Sequence, residues 1–450
     1  MRRLWTAGVV LSLAGALTGV AHANEAPNRI SVAADGAQGD RESRNSSLSA
    51  DGRYVAFDSD ATNLVPGDTN DRTDVFVRDR QTGTTTRVSV ATDGSQGVDT
   101  GPWPNPYSSY PTISADGRYV SFTSRASNFA PGDTNSSPDV FVHDRQTGTT
   151  TRVSVASDGT EGFGGGFFAA MSPTGRYVTF ISDSPNLVPG DTNQLRDLFL
   201  HDRETGSTTR ISVASDGTQA NGTTDYTVSM ISADGRFVAF RSWASNLVPG
   251  DTNRASDVFL RDTLLGVTTR ISVASGGVEA NELSYQPSMS TDGRYIAFGS
   301  GASNLVPGDN NGAADVFRHD RVTGTTIRIS PASATYEGWV PDGSKGPAIS
   351  GDGRFVAYWS DAVDIVPGDT NKTVDVFVHD VDTGVTSLVS RTPDGTPAST
   401  PSGFWTSISV AMSADGQYIG FNSGATNLVD GDTNVVGDVF VSGNPVSGRR

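Results

Sequence analysis

The sequence predicts an all-β fold, a seven-bladed β-propeller of four-stranded antiparallel blades, and three observations carry that expectation. A turn close to S-x-D-G-R-(Y/F)-(V/I) recurs, with its glycine at Gly52, Gly117, Gly175, Gly235, Gly293, Gly353 and Gly416, at intervals of 65, 58, 60, 58, 60 and 63 residues. A loop close to N-L-V-P-G-D-T-N-x-x-x-D-V-F follows each turn, as from Asn63 to Phe76. Finally, Arg29–Gly36 copies the end of every unit but precedes the first complete one, while the last unit stops before that end. A steady period of this kind is the mark of a repeat architecture.

The elements follow in chain order. Residues 1–23 read as a secretory signal: Arg2 and Arg3, a short apolar stretch from Val9 to Val20, then Ala21-His22-Ala23 as a small-x-small cleavage site. The expectation is an exported protein, periplasmic or extracellular. No later stretch approaches the roughly 20 apolar residues of a spanning helix, so no membrane span is expected. Residues 24–442 form the single propeller domain, and 443–450 a short tail.

Within the second unit, Tyr110–Ser114 is expected as the inner strand a, and Asp116-Gly117 as a tight hairpin turn. Arg118–Ser124 is strand b, with apolar or aromatic groups on both faces, as suits a sheet lying between two others. A long loop leads to strand c at Asp139–Asp144, a Thr147-Gly148 turn, and strand d at Thr150–Ala156. Four short strands and no helical stretch per repeat point to a propeller blade. The N-terminal strand should pair with Asp438–Val441 and complete the seventh blade, hiding two sheet edges.

Without Arg2 and Arg3 the 33 basic residues become 31 against 50 acidic, a net charge of −19. That balance, with no basic run, excludes nucleic acid and anionic lipid as expected partners. It suits a cationic partner or a divalent metal. With no cysteine in the chain, closure must come from hydrogen bonds and packing.

The S-x-D-G-R-x-(I/V)-x-F turn, the D-V-F strand and the T-G turn together resemble the TolB-type family of WD-like propeller repeats, over about residues 28–442. The resemblance implies an exported bacterial envelope or secreted protein that binds partners. Related propellers also occur fused to peptidase domains and as sugar lyases. The N-L-V-P-G-D-T-N insertion is longer than the usual repeat loop of that family.

Every unit keeps a D-x-N-x-x-x-D spacing: Asp68/Asn70/Asp74, Asp133/Asn135/Asp139, Asp191/Asn193/Asp197, Asp251/Asn253/Asp257, Asp309/Asn311/Asp315, Asp369/Asn371/Asp375 and Asp432/Asn434/Asp438. Oxygens at alternate positions after a Pro-Gly turn are donors of the kind Ca²⁺ takes, and the opening resembles the calcium loops of integrin-type propellers. The fifth position departs from that pattern, being Arg72, Ser137, Leu195, Ala255, Ala313, Thr373 and Val436. The other reading is structural, with Asp and Asn capping backbone amides in Asx turns. No cofactor is required on that reading, and Ca²⁺ is the candidate on the other.

No catalytic residues are assigned. The strand-a segments, such as Ser46–Ser49 and Pro347–Ser350, hold no Asp, Glu, His, Lys or Arg, and there is no G-x-S-x-G elbow. His143, His201, His319 and His379 share one strand-c position with Arg78 and Arg261, which reads as a polar, exposed site. Asp99, Glu161, Asp225, Glu282 and Glu337 are the loop carboxylates a polysaccharide-active enzyme would have to bring together. The variable d–a loops carry the aromatic surplus and are the expected partner surface: Trp103, Tyr107, Tyr110, Phe167, Phe168, Tyr226, Tyr285, Tyr336, Trp339, Phe404 and Trp405. The expectation is a non-catalytic binding or scaffolding module for a protein or glycan. The alternatives are a polysaccharide lyase or hydrolase on a propeller, and a calcium-dependent surface protein.

Overall fold

The computed structural model describes residues 25–98, 107–224, 229–331, 343–363, 365–399 and 409–448. Its strands form seven four-stranded antiparallel sheets. Blade 1 runs through Ser43–Leu48, Tyr54–Ser59, Asp74–Asp79 and Thr84–Arg87 as strands a to d. Blades 2 to 6 repeat that order, beginning at Ser108, Phe167, Met230, Ser284 and Ser344. Among the described residues no helix is long and apolar enough to cross a membrane.

The core lies between blades rather than inside one. Ala56, Val75 and Val77 of blade 1 pack with Val120 and Phe122 of blade 2, all fully buried. This is why strands b and c are apolar on both faces. The recurring turn is itself an inter-blade joint. Gly117 has φ of +74°, and a Cβ there would lie 2.1 Å from the Tyr54 ring of the preceding blade. That ring is held between Arg53 at 4.7 Å and Arg145 at 4.6 Å, a cation–π sandwich across the same joint.

The ring closes as expected. Asn28 and Arg29 pair antiparallel with Val441 and Phe440, and the Ile30 amide donates to the Val439 carbonyl at 2.7 Å. Blade 7 therefore takes strand d from the N-terminus and strands a to c from Val410–Met412, Tyr418–Ser423 and Asp438–Gly443.

Three expectations need correction. Strand a of blade 2 starts earlier, at Ser108, and strand d ends at Arg152. The early start has a physical cause, a bulge: the strand register shifts between Ser109 and Thr112, with Tyr110 left-handed at φ +56°. The same shift in blades 1 and 6 brings Arg44 and Lys345 onto strand a, which is therefore not free of charged residues. Last, the strand-c histidines are not exposed. His143 is only 6% exposed, with its ring Nδ1 2.9 Å from the Thr150 hydroxyl. Arg78 occupies the same place in blade 1 and donates to the Thr85 hydroxyl at 3.0 Å. The position alternates between His and Arg because both reach one buried threonine.

Candidate functional site

The repeated Asp/Asn loops connect strands b and c. The Asn70 side-chain oxygen accepts the Arg72 amide at 3.1 Å, an Asx turn that holds Asp71 left-handed at φ +56°. The Asn70 amide group donates to Asp74 at 3.1 Å, and the Ser89 hydroxyl of strand d donates to the other Asp74 oxygen at 2.5 Å. All seven loops make these three bonds, the last through Ser31 and Asp438.

The contacts of the asparagines therefore differ from those of cation donors. The side-chain oxygens of Asn135, Asn193 and Asn253 accept the amides of Ser137, Leu195 and Ala255 at 2.7, 3.0 and 2.9 Å. Those of Asn311, Asn371 and Asn434 accept from Ala313, Thr373 and Val436 at 3.1, 3.2 and 3.5 Å. Each side-chain NH₂ meanwhile points at the strand-c aspartate of its own loop: Asp139, Asp197, Asp257, Asp315, Asp375 or Asp438. A donor hydrogen thus occupies the side of the carboxylate that a shared cation would need. The Asx turn, not the calcium loop, describes the geometry of all seven asparagines.

An arginine at the end of strand d then reaches both carboxylates of its loop. Arg87 lies 3.1 Å from Asp68 and 3.5 Å from Asp74, and Arg210 lies 3.2 Å from both Asp191 and Asp197. Arg152, Arg270, Arg328 and Arg29 do the same in blades 2, 4, 5 and 7. In blade 6 the position is Leu388. The carboxylates of Asp133, Asp139 and Glu161 lie within 4.8 Å of one another, close enough to share a metal ion. Arg152 stands among them, at 4.0, 3.4 and 2.5 Å. In these six blades the acids face a cation that the chain itself supplies, and a metal ion at Asp133, Asp139 and Glu161 would share them with Arg152.

The central channel holds a cavity of about 430 Å³. Its wall comes from strand a of each blade. Leu48, Ile113, Met171, Ile231, Met289, Ile349 and Met412 form an apolar belt, and the described lining residues are uncharged. On the a–b turn side, backbone bonds run between blades: the Ala50 amide to Ala115, Ala115 to Pro173, Thr291 to Gly351, and Gly351 to Ala414. Toward the d–a and b–c loops, the bulge residues Asn45, Tyr110, Phe168, Gln286 and Gly346 form the rim, all with positive φ. Four of these five are not glycine, and the other six left-handed non-glycine residues described lie in the Asp/Asn loops. The Tyr110 and Phe168 rings meet across two blades with centroids 4.5 Å apart.

Behind this rim the blades stop resembling one another. Strand b reads Y-V-A-F-x-S with small variations, and x is Asp58, Thr123, Ile181, Arg241, Gly299, Trp359 and Asn422. Each x has its own arrangement. The Arg241 guanidinium lies 5.5 Å from the Trp243 ring centroid and 5.9 Å from that of Tyr285. The Lys345 ammonium lies 5.6 Å from the Trp359 ring centroid. Asp58 is fully buried, accepts from the Asn45 side chain at 2.8 Å and the Tyr110 amide at 3.0 Å, and lies 3.6 Å from Arg44. Burial pushes its carboxyl up to about 7. None of these x positions was singled out from the sequence. The available signal was divergence within a repeat whose neighbouring positions barely change.

Of the aromatic residues expected on the partner face, Tyr110 and Phe168 stand on the rim. Phe167 pairs with Ile181 on strand a, and the buried Tyr285 ring covers Gly299. Tyr107 is half-buried, its carbonyl accepting the Arg125 amide at 3.2 Å. Trp103, Tyr226, Tyr336, Trp339, Phe404 and Trp405 lie outside the described residues, as do Asp99, Asp225 and Glu337. Glu161 is engaged by Arg152 and by Thr134, at 2.5 and 2.8 Å.

No protein-family model matches the chain, and no curated protein matches it. Solved structures do. An oligogalacturonate lyase in complex with manganese shares 14% identity over 93% of this chain and 92% of its own, with a TM-score of 0.52. An oligogalacturonate lyase from Vibrio parahaemolyticus shares 12% over 93% and 90%, with a TM-score of 0.50. TolB from Acinetobacter baumannii shares 14% over 87% and 81%, with a TM-score of 0.39. At these identities the likeness is one of fold, and what the chain shares with them is the β-propeller.

Proposed function

We propose that this propeller is a binding module that takes a protein or glycan partner at the channel mouth, on the face shared by the d–a and b–c loops. One observation carries the reading. Residues that hold a blade together repeat nearly unchanged, whereas Asp58, Thr123, Ile181, Arg241, Gly299, Trp359 and Asn422 differ in charge, size and polarity behind one rim. Selection for folding alone would favour one residue type in seven equivalent environments. A different residue in each is what recognition of an asymmetric ligand needs. The rim adds the Tyr110–Phe168 ring pair and the amides of Asn45 and Gln286, groups suited to stacking on a sugar or a peptide and bonding to its polar edge.

The test is a binding screen of the full-length protein on immobilised glycans, acidic oligosaccharides included, and on extracellular proteins. Binding lost in Tyr110→Ala and Gln286→Ala but kept in Leu264→Ser, on a c–d turn of the opposite face, supports the reading. Binding that survives both rim substitutions and is lost in Leu264→Ser overturns it. The same preparations, incubated with oligogalacturonate, also test a lyase: accumulation of unsaturated, ultraviolet-absorbing product would make the protein an enzyme on this fold.

A further inference from the structure

The seven-fold repeat makes one carboxylate conspicuous. Of the equivalent strand-b residues behind the rim only Asp58 is acidic, and it is fully buried. Its Oδ2 joins two blades, accepting the Asn45 side-chain amide of blade 1 and the Tyr110 backbone amide of blade 2. Both partners are rim residues held left-handed, at φ +53° and +56°. Its Oδ1 accepts no hydrogen bond among the described residues and faces Arg44 at 3.6 Å. Arg44 is shared, donating to Glu42 at 2.9 Å and to Asp60 at 3.1 Å.

We propose that Asp58 is a proton-operated latch on the channel mouth, clamping Asn45 and Tyr110 when ionised and loosening them when protonated. The ionised form makes charge-assisted bonds to both rim residues and draws Arg44 toward Oδ1; such bonds are about twice as strong as neutral ones. On protonation a solvent proton settles on Oδ1, the bonds to Oδ2 weaken, and Arg44 loses its attraction to Oδ1 while keeping its bonds to Glu42 and Asp60. The charged and titratable groups around the carboxylate are Arg44 and Glu42 on and before strand a, Asp60 just after strand b, and Tyr110 on the neighbouring blade. Burial, opposed by the Asn45 and Tyr110 bonds, places the Asp58 carboxyl near 7, so both states are populated around neutrality. The latch is a property of the rim and stands whether or not the partner proposed above binds there.

The test is fluorine NMR of the whole protein labelled with fluorophenylalanine, titrated across neutrality. Phe168, whose ring centroid is 4.5 Å from that of Tyr110 and which does not titrate, is the reporter, assigned with Phe168→Leu. The expected result is a Phe168 signal that moves with a midpoint near neutrality in the parent protein and stays flat in Asp58→Asn. Asp58→Thr guards against misfolding, since blade 2 already carries Thr123 at this position; it should be flat too. A Phe168 signal that is flat in the parent, or that titrates unchanged in Asp58→Thr, overturns the proposal.

Discussion

Arg29 reaches Asp432 at 3.3 Å, repeating at the ring closure the contact that Arg87 makes with Asp68 inside blade 1. The N-terminal strand therefore serves as strand d, paired over two residues where the other blades have four, with its arginine and its serine in place. Deleting residues 24–36 should lower the unfolding temperature sharply or cause aggregation, because it exposes the strand-c edge at Asp438–Gly443. Ser31→Ala is the mild version. It removes the 2.5 Å bond to buried Asp438 and should cost about 1–3 kcal/mol by chemical denaturation. An unchanged melt for the deletion would refute closure by this strand.

The turn glycines separate into two kinds. At Gly117 an added Cβ would strike the Tyr54 ring at 2.1 Å, whereas at Gly94, φ +83°, it would meet nothing within 4 Å. Gly94→Ala should cost only the left-handed penalty of about 1–2 kcal/mol. Gly117→Ala should cost more, because it also pushes two blades apart, and part of the difference should vanish in the Tyr54→Ala background. Equal losses at both sites, measured by denaturant unfolding, would show that the joint yields freely.

The fold was legible because turn chemistry is local and repeats: Asp-Gly and Thr-Gly mark hairpins without reference to anything distant. The rim was not legible. Asn45, Tyr110, Phe168 and Gln286 share a backbone conformation but not one residue type, and only Gly346 hints at it. The arginines beside the loop acids were not legible either, because they lie elsewhere in the chain. Arg87 is 13 residues beyond Asp74 and meets it only once strands c and d are paired. Alternation of His and Arg read as tolerance at a surface, though both serve a buried hydroxyl, that of Thr150 or Thr85.

Blade 6 is the natural experiment on that counter-ion, since Leu388 stands where an arginine closes the loop in the other six blades. Burial pushes Asp375 up to about 7, and Asp369 beside it pushes the same way. Leu388→Arg should raise the unfolding temperature by supplying charged hydrogen bonds worth about 1–3 kcal/mol. The converse, Arg210→Leu, strips Asp191 and Asp197 of a nearly buried partner and should cost about 3–5 kcal/mol. If both variants melt with the parent, the arginines are not what holds these loops.

Added metal should do little. A guanidinium stands against both acids in six loops, and the asparagine oxygen is spent on a backbone amide in all seven. The melting temperature in EDTA should match that in excess Ca²⁺ or Mn²⁺. A single site filled to about 100 times its dissociation constant would add about 2.7 kcal/mol, a shift easily seen by calorimetry. A clear rise would mean that a cation displaces arginine or enters the blade 6 loop, and in the first case it should be larger in Arg152→Leu, which frees Asp133, Asp139 and Glu161.

Stability should peak on the acid side of neutrality. Burial pushes Asp58, Asp139 and Asp375 up to about 7, and Asp68, Asp251 and Asp438 up to about 6. The unfolded chain releases these protons near pH ~4, so between there and neutrality the fold binds more protons than the unfolded state. Their contribution is full below the unfolded value and is lost as the pH rises through about 6 and 7. Asp79 and Asp202 behave oppositely, held at about 2 by hydrogen bonds from Arg53 and Arg176. Their contribution is present above pH ~4 and is lost as the pH falls toward their folded values. The two sets leave a maximum near pH ~4, with stability falling from there toward neutrality. Calorimetric melts at constant ionic strength should therefore give a higher midpoint at about pH 5 than at about pH 8. Asp58→Asn should flatten part of that slope. A midpoint that rises steadily toward pH ~8 would mean that these acids are ionised in the fold at ordinary values and that relief of their burial lies in contacts other than those described.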